Sequence, residues 1–234
     1  MSSTSPRPIV LLHGCGGSVR STFESTGWLD AITACGRSPV ALHLPGHGSN
    51  RSSHDPSSYA DLAGLVAREL PPGPVDAIGF SLGAKIVLEL ALRDPERVGR
   101  IVLGGIGDNV FGPERIAEAA ARALESETTA ETPAAVLAFL RTWEPRLNDA
   151  LAVAAVLRRP PNPIFTRERL TQVSCPVLIV NGSNDPVTQL GNQLVSSLRD
   201  VRCVTVRGVD HFGLPQQVEF RRHALAFFGL EAAT

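Results

Sequence analysis

The chain has 234 residues, 43% of them hydrophobic and 19% charged, enough to bury a substantial core without disulfide or metal staples. Its 22 basic and 23 acidic residues give a formal charge of -1, which excludes a strongly basic nucleic-acid binder and a polyacidic tail protein. No apolar run reaches the ~18–20 residues of a membrane span, the first residues lack the apolar stretch of a secretory signal, and Cys15, Cys35, Cys175 and Cys203 have neither zinc-site nor disulfide-framework spacing, so a cytoplasmic protein with no membrane span is expected.

Along the chain, short apolar runs alternate with amphipathic stretches. The runs predict strands at Ile9–Leu12, Pro39–Leu42, 75–78, 101–103, 177–180 and 201–204. Most are apolar at successive positions, as strands buried on both faces are. Helices are predicted between them at 23–34, 59–69, 82–93, 189–198 and 216–228. Such alternation implies right-handed crossovers and a mostly parallel α/β sheet covered on both sides. The segment 109–163 breaks the rhythm. It reads as three helices: 113–124 with Pro113 in its first turn, 132–143 capped by Thr132, and 148–159 capped by Asn148 and stopped by Pro160-Pro161-Asn162-Pro163. An insertion of roughly fifty residues is long for a connection and reads as a lid, dividing the chain into a core of 1–108 and 164–234 and a helical lid of 109–163. The chain has one lysine, Lys85, among its 22 basic residues.

The sharpest motif is Gly79-Phe80-Ser81-Leu82-Gly83, a G-x-S-x-G pentapeptide between a buried run and an amphipathic helix. The spacing puts the serine on a strained strand-to-helix turn, where side chains at 79 or 83 would strike backbone. A nucleophilic serine needs a base, and the base needs an orienting acid. His211 follows the last predicted strand, and Asp185 follows the strand at 177–180, giving the order Ser81, Asp185, His211. Asp185 also fits an Asx turn before Pro186. Asp108, after the strand at 101–103, is the alternative acid. Asp210 adjoins His211 but diverges from it on an extended chain. An oxyanion hole needs backbone N–H donors. Leu82 supplies one, and the loop His13-Gly14-Cys15-Gly16-Gly17 the other, Cys15 first and Gly16 second. No phosphate-cradling motif can be drawn through that loop.

Taken together, these pieces resemble the α/β-hydrolase superfamily along nearly the whole chain. Besides Gly79–Gly83 and the late His211, the matching elements are His13-Gly14, Leu44-Pro45-Gly46-His47-Gly48, and Cys175-Pro176-Val177-Leu178-Ile179 leading to Gly182 and Asp185. The resemblance implies a serine hydrolase with a Ser-Asp-His triad and no metal or organic cofactor. It makes Ile9–Leu12 the family's third strand, and eight residues before it are too few for the usual first hairpin, so a trimmed, six-stranded, all-parallel sheet is expected. His43 stands where relatives commonly have Asp, and Ala84 where a third glycine is frequent. His43, His47 and His54 read as loop histidines rather than metal ligands.

The reaction implied is hydrolysis of a small-to-medium carboxylic ester, thioester or lactone through an acyl enzyme. Carbon–carbon bond hydrolysis, a lyase or a cofactor-free oxidative reaction on the same triad, and a non-enzymatic ligand receptor are the alternatives. The expected partner is a small molecule with an apolar acyl or alcohol part, not a nucleic acid. Leu137, Phe139, Leu140, Trp143, Leu147 and Leu151 supply apolar surface, either to the pocket or to packing of the lid on the core.

Overall fold

The computed structural model describes residues 6–48, 52–114, 116–126, 132–141, 149–188 and 191–230. Six strands, β1 (Ile9–Leu12), β2 (Pro39–Leu42), β3 (Val75–Phe80), β4 (Val98–Gly104), β5 (Val177–Gly182) and β6 (Val201–Val206), form one parallel sheet in the order β2-β1-β3-β4-β5-β6. All six begin at or close to the predicted runs. Those that run longer do so mainly at their carboxyl ends, where the expected sites lie. β1, β3 and β5 are buried throughout, whereas the edge strands β2 and β6 are partly exposed.

Alternate residues of each central strand enter different cores, as the two-residue period of a strand requires. Val10, Leu12, Ala77, Ile101, Leu103 and Ile179 face one, with α2 (Leu62–Ala67) and α3 (Leu82–Arg93) packed over them. Ile9, Leu11, Ile78, Val102, Leu178 and Val180 face the other, beside Trp28 and Ile32 of α1 (Trp28–Ala34). Chain order reverses between β1 and β3, so a crevice opens at their carboxyl ends. The register Leu12↔Gly79 places the loop after β1 beside the turn after β3.

Helix ends depart from the sequence reading more than strands do. The predicted helix 23–34 is broken at Gly27, φ 75°, into a π-helical turn at Arg20–Glu24 and α1. The predicted 59–69 becomes a 3-10 turn at Pro56–Tyr59 followed by α2, because the Asp61 side chain accepts from Gly64 N–H and starts a new helix. Within 109–163 lie α4 (Ala117–Glu125), α5 (Ala134–Arg141) and α6 (Ala150–Leu157). α4 starts four residues later than Pro113, because Glu114 is drawn into ion pairs with Lys85 and Arg159. α5 starts after Pro133. Asn148 lies outside the described residues, and the N-cap of α6 is Asp149, which accepts from Leu151 and Ala152 N–H. The short α7 (Arg167–Leu170), which the sequence reading passed over, is capped by Thr166. α8 (Gln193–Ser197) and α9 (Val218–Phe227) complete the chain, and Phe220 and Ala224 of α9 pack beside α1 on the second face. Ala120, Val136, Phe139 and Val153 of this segment form a small cluster, against which Cys15 and Phe212 also pack. Among the described residues no helix is long and apolar enough to cross a membrane.

Candidate active site

β3 ends at Phe80 and α3 begins at Leu82, leaving a single residue for the turn. Ser81 takes it at φ 53°, ψ -114°, the one non-glycine residue with positive φ among those described. Such a conformation costs about 1–3 kcal/mol and persists where the surroundings enforce it. Here the Ser81 N–H donates to Gly104 O on β4 at 2.8 Å, and Ser81 O accepts from Lys85 N–H at 3.1 Å. A Cβ on Gly79 would stand 2.5 Å from Ala84 backbone, and one on Gly83 would stand 2.2 Å from Leu12 O and 2.5 Å from His13 O. Both glycines are therefore required by close backbone approach.

The turn lifts the Ser81 hydroxyl to His211. Ser81 Oγ lies 3.0 Å from His211 Nε2, and His211 Nδ1 lies 2.8 Å from Asp185 Oδ2. Since a carboxylate accepts, Nδ1 carries the imidazole proton and Nε2 offers its lone pair to the serine hydroxyl. Asp185 and His211 are both buried, which keeps water from competing for this line. The other Asp185 oxygen accepts from Val187 N–H at 2.8 Å and Thr188 N–H at 3.2 Å. Asp185 thus makes both the turn and the contact with His211, one oxygen for each. Asp210 turns away to accept from Gly213 N–H at 2.7 Å. Asp108 uses Oδ2 on Gln193 N–H at 3.2 Å and Oδ1 on Leu194 N–H at 2.8 Å, starting α8. The structure therefore sets Asp185, and not Asp108, against His211.

The loop after β1 is held by two buried histidines. His47 Nδ1 donates to Pro45 O at 3.1 Å, and its Nε2 accepts from Gly16 N–H at 2.8 Å. His13 Nδ1 donates to Gly14 O at 2.8 Å, and its Nε2 accepts from Leu44 N–H at 3.1 Å. Both rings bind as neutral imidazoles. Burial, followed by the neighbouring His47, takes His13 well below the usual histidine range, and burial takes His47 down to about 4. The bond to His47 commits Gly16 N–H and so removes it as an oxyanion donor. Cys15 borders the cavity with Ser81 and Leu82, and among the described residues its N–H has no acceptor. The amide of Leu82, first in α3, lacks an intrahelical acceptor. Burial, reinforced by Glu114, pushes the Cys15 thiol up to about 12, so its sulfur stays protonated and unreactive. This bracing by His13 and His47 escaped the sequence reading, which treated His47 as an ordinary loop residue. The signal lies 31 positions away, in Gly16.

The crevice is a cavity of about 520 Å³. Phe80 and Phe212 contact the His211 ring, with centroids 5.0 and 5.2 Å away. Of the apolar insertion residues singled out from sequence, Phe139 lines the cavity, Leu140 packs within the insertion, and Leu137 and Leu151 are exposed. Trp143 and Leu147 lie outside the described residues. Ile116, Ala120 and Leu157 join Phe139 in the wall. His54 pairs with Asp149 at 2.8 Å on the surface. Among the described residues no cluster of His, Cys, Asp and Glu could hold a metal ion.

Residues 9–224 match the sequence profile of the alpha/beta hydrolase family. The chain is 29% identical over 220 residues to a pimeloyl-[acyl-carrier protein] methyl ester esterase from Nitrosomonas europaea, covering 78% of this chain and 79% of that one. It is 29% identical over 103 residues to a 2-hydroxy-6-oxononadienedioate/2-hydroxy-6-oxononatrienedioate hydrolase from Escherichia coli, covering 42% of this chain and 36% of that one. Other curated relatives are likewise matched over about a third of their own length or less. In structure, the enol-lactonase from Burkholderia xenovorans superposes with a TM-score of 0.75 at 18% identity, covering 98% of this chain and 94% of that one.

Proposed function

The chain belongs to the α/β-hydrolase family and is an enzyme of it, and we propose that it is a serine hydrolase that cleaves carboxylic esters, thioesters or lactones through an acyl enzyme. The observation that carries this reading is the continuous line from Ser81 Oγ through the His211 ring to Asp185, 3.0 Å and 2.8 Å long. Ser81 Oγ bonds to the substrate carbonyl carbon as its proton passes to His211 Nε2. The carbonyl oxygen becomes an oxyanion held by the Leu82 and Cys15 N–H groups. Asp185 holds the imidazolium. His211 then gives the proton to the leaving oxygen or sulfur as its bond to the carbonyl carbon breaks, releasing the alcohol or thiol, or opening the lactone ring. Water repeats the sequence on the acyl enzyme and frees the acid and Ser81. Each oxyanion donor supplies about 2.7–4 kcal/mol of barrier lowering. The insertion helices α4–α6 act as the lid over the cavity.

The similarity to the Nitrosomonas esterase over most of both chains supports ester cleavage. A second reading, hydrolysis of a carbon–carbon bond beside a ketone, is favoured by the similarity to the Escherichia coli hydrolase. The test is intact-protein mass spectrometry after treatment with a fluorophosphonate, on wild type and Ser81→Ala, followed by a panel of chromogenic esters. One adduct on wild type and none on the variant is expected, with ester turnover lost in Ser81→Ala. A folded wild type that takes no adduct, or a variant that hydrolyses esters at the wild-type rate, would overturn the reading.

A further inference from the structure

The cavity wall holds a charge arrangement that the acyl-transfer steps leave unused. Lys85 stands in the first turn of α3, four residues after Ser81, and both residues line the cavity. The Lys85 side chain is 9% exposed and borders the cavity. Its Nζ donates to Glu114 Oε1 at 3.1 Å, and that same oxygen accepts from Arg159 Nη2 at 3.1 Å. Burial, which works against an ionised carboxylate, is outweighed by Lys85 and Arg159, and Glu114 is held at about 2. Two cations thus share one carboxylate, and the cluster carries a net positive charge. Arg159 places further N–H groups on Val156 O at 2.7 Å and Asn162 O at 3.2 Å. Lys85 has three protons, and among the described residues Glu114 is the one side-chain acceptor it meets. Glu89, the next carboxylate along α3, is committed to Arg93 at 2.7 Å and Arg169 at 2.9 Å. Arg141 also borders the cavity and adds positive charge there. Burying an ammonium is costly while any of its donors goes without an acceptor.

We propose that Lys85 is a specificity-determining residue, whose ammonium binds a free carboxylate on the acyl part of the substrate. The proposal rests on the serine-hydrolase reading above and narrows it. The leaving group has to sit where His211 can protonate it, which assigns that side of the cavity to the alcohol. Lys85 and Glu114 lie near Cys15, whose thiol feels both charges, and this side is left for the acyl chain. The preferred substrate is therefore a monoester of a dicarboxylic acid, or the corresponding thioester or lactone. A carboxylate at that end of the substrate would meet the excess positive charge of the cluster.

The experiment compares p-nitrophenyl half-esters of dicarboxylic acids with the matching neutral monoamides, in a series of about four to seven carbons, chosen around the ~6 Å rise of a helix backbone over four residues. For wild type, kcat/KM for the half-ester should exceed that for the amide by about tenfold to a hundredfold at the best length, the scale of a charge-assisted hydrogen bond. Lys85→Met should bring that ratio close to one, Lys85→Arg should keep part of it, and Glu114→Gln should widen it by releasing the ammonium. A wild-type ratio near one at every length, or a ratio that survives in Lys85→Met, overturns the proposal. If Lys85→Met does not fold, Glu114→Gln decides, and an unchanged or smaller ratio there counts against it. If no ester of either kind is cleaved and Ser81 takes no fluorophosphonate, calorimetry with the free diacids and their monoamides separates the two ideas. Lys85-dependent diacid binding then keeps the subsite while the hydrolase reading falls, and no charge-dependent binding removes both.

Discussion

Asp185 and Asp108 are both carboxylates after neighbouring strands, and their hydrogen bonds tell them apart. Asp185 gives one oxygen to His211 and the other to two backbone amides, whereas Asp108 gives both of its oxygens to the start of α8. Asp185→Asn keeps the shape and removes the charge that favours the imidazolium. It also offers His211 a donor where the ring needs an acceptor, so the wrong tautomer faces Ser81. Loss of kcat on the order of 10⁴-fold is expected, the scale seen when a triad carboxylate becomes an amide. Asp108→Asn keeps one acceptor for the start of α8 and loses the other, so stability should fall by about 1 kcal/mol, the worth of one hydrogen bond, with little change in kcat. Ester hydrolysis and thermal melts of the two variants check this, and a greater loss of kcat in Asp108→Asn would reverse the assignment. Sequence order was enough to bring Asp185, His211 and Ser81 to one place, because each follows its own strand at the same end of a parallel sheet. It left Asp108 open, since a carboxylate that caps a helix and one that orients a histidine occupy similar loops.

At the scale of elements, the strands were legible because burial on both faces leaves an unbroken apolar run, which depends on the local sequence alone. Helix boundaries were less so, because they were set by single contacts: Gly27 splitting 23–34, Asp61 restarting the chain at α2, and Glu114 diverted from α4 to Lys85 and Arg159. The strand–turn–helix unit of β3 and α3 combines both kinds of signal, since Gly79 and Gly83 are fixed by how near α3 and β1 approach. At Gly83, a methyl group would meet the carbonyls of Leu12 and His13 at 2.2 and 2.5 Å. These carbonyls belong to β1 and to the start of the loop after it, so relief requires moving α3 off the sheet. Gly83→Ala should therefore cost at least the ~1–3 kcal/mol of an overpacked core and displace Ser81 from His211. A melting temperature several degrees below wild type, with slower fluorophosphonate labelling of the folded fraction, is the expected result. An unchanged melt and labelling rate would mean that the helix accommodates the methyl group.

Across the whole molecule, the charges and rings that matter most come from segments far apart in sequence. Lys85, Glu114 and Arg159 meet from α3, the stretch before α4 and the chain just after α6, and His47 reaches back to Gly16. No local pattern announces such groups, which is why the lone lysine read as a compositional oddity. Their burial ties stability to pH, and the sign follows from which state binds protons. His47 falls from 6.5 to about 4 on folding, and His13 is lowered in the same direction. Between pH 6.5 and 4 the unfolded chain takes up protons that these folded rings refuse, so stability falls as the pH drops through that window. Above pH 7 both states hold neutral rings and the contribution is level. His47 alone accounts for about 3 kcal/mol across its window, at 1.36 kcal/mol per pH unit. Below that, Glu114, lowered from 4.5 to about 2, adds in the same sense, because its ion pairs are lost as it protonates between those values. Urea midpoints should be flat from pH 8 to 7 and decline steadily from 6.5 toward 4. His47→Gln should show a shallower decline, since Gln retains an acceptor for Gly16 N–H but does not titrate. A wild-type midpoint that holds constant down to pH 4.5 would mean that the two rings are charged in the folded protein, and the hydrogen bonds that fix the loop after β1 would then have to be redrawn.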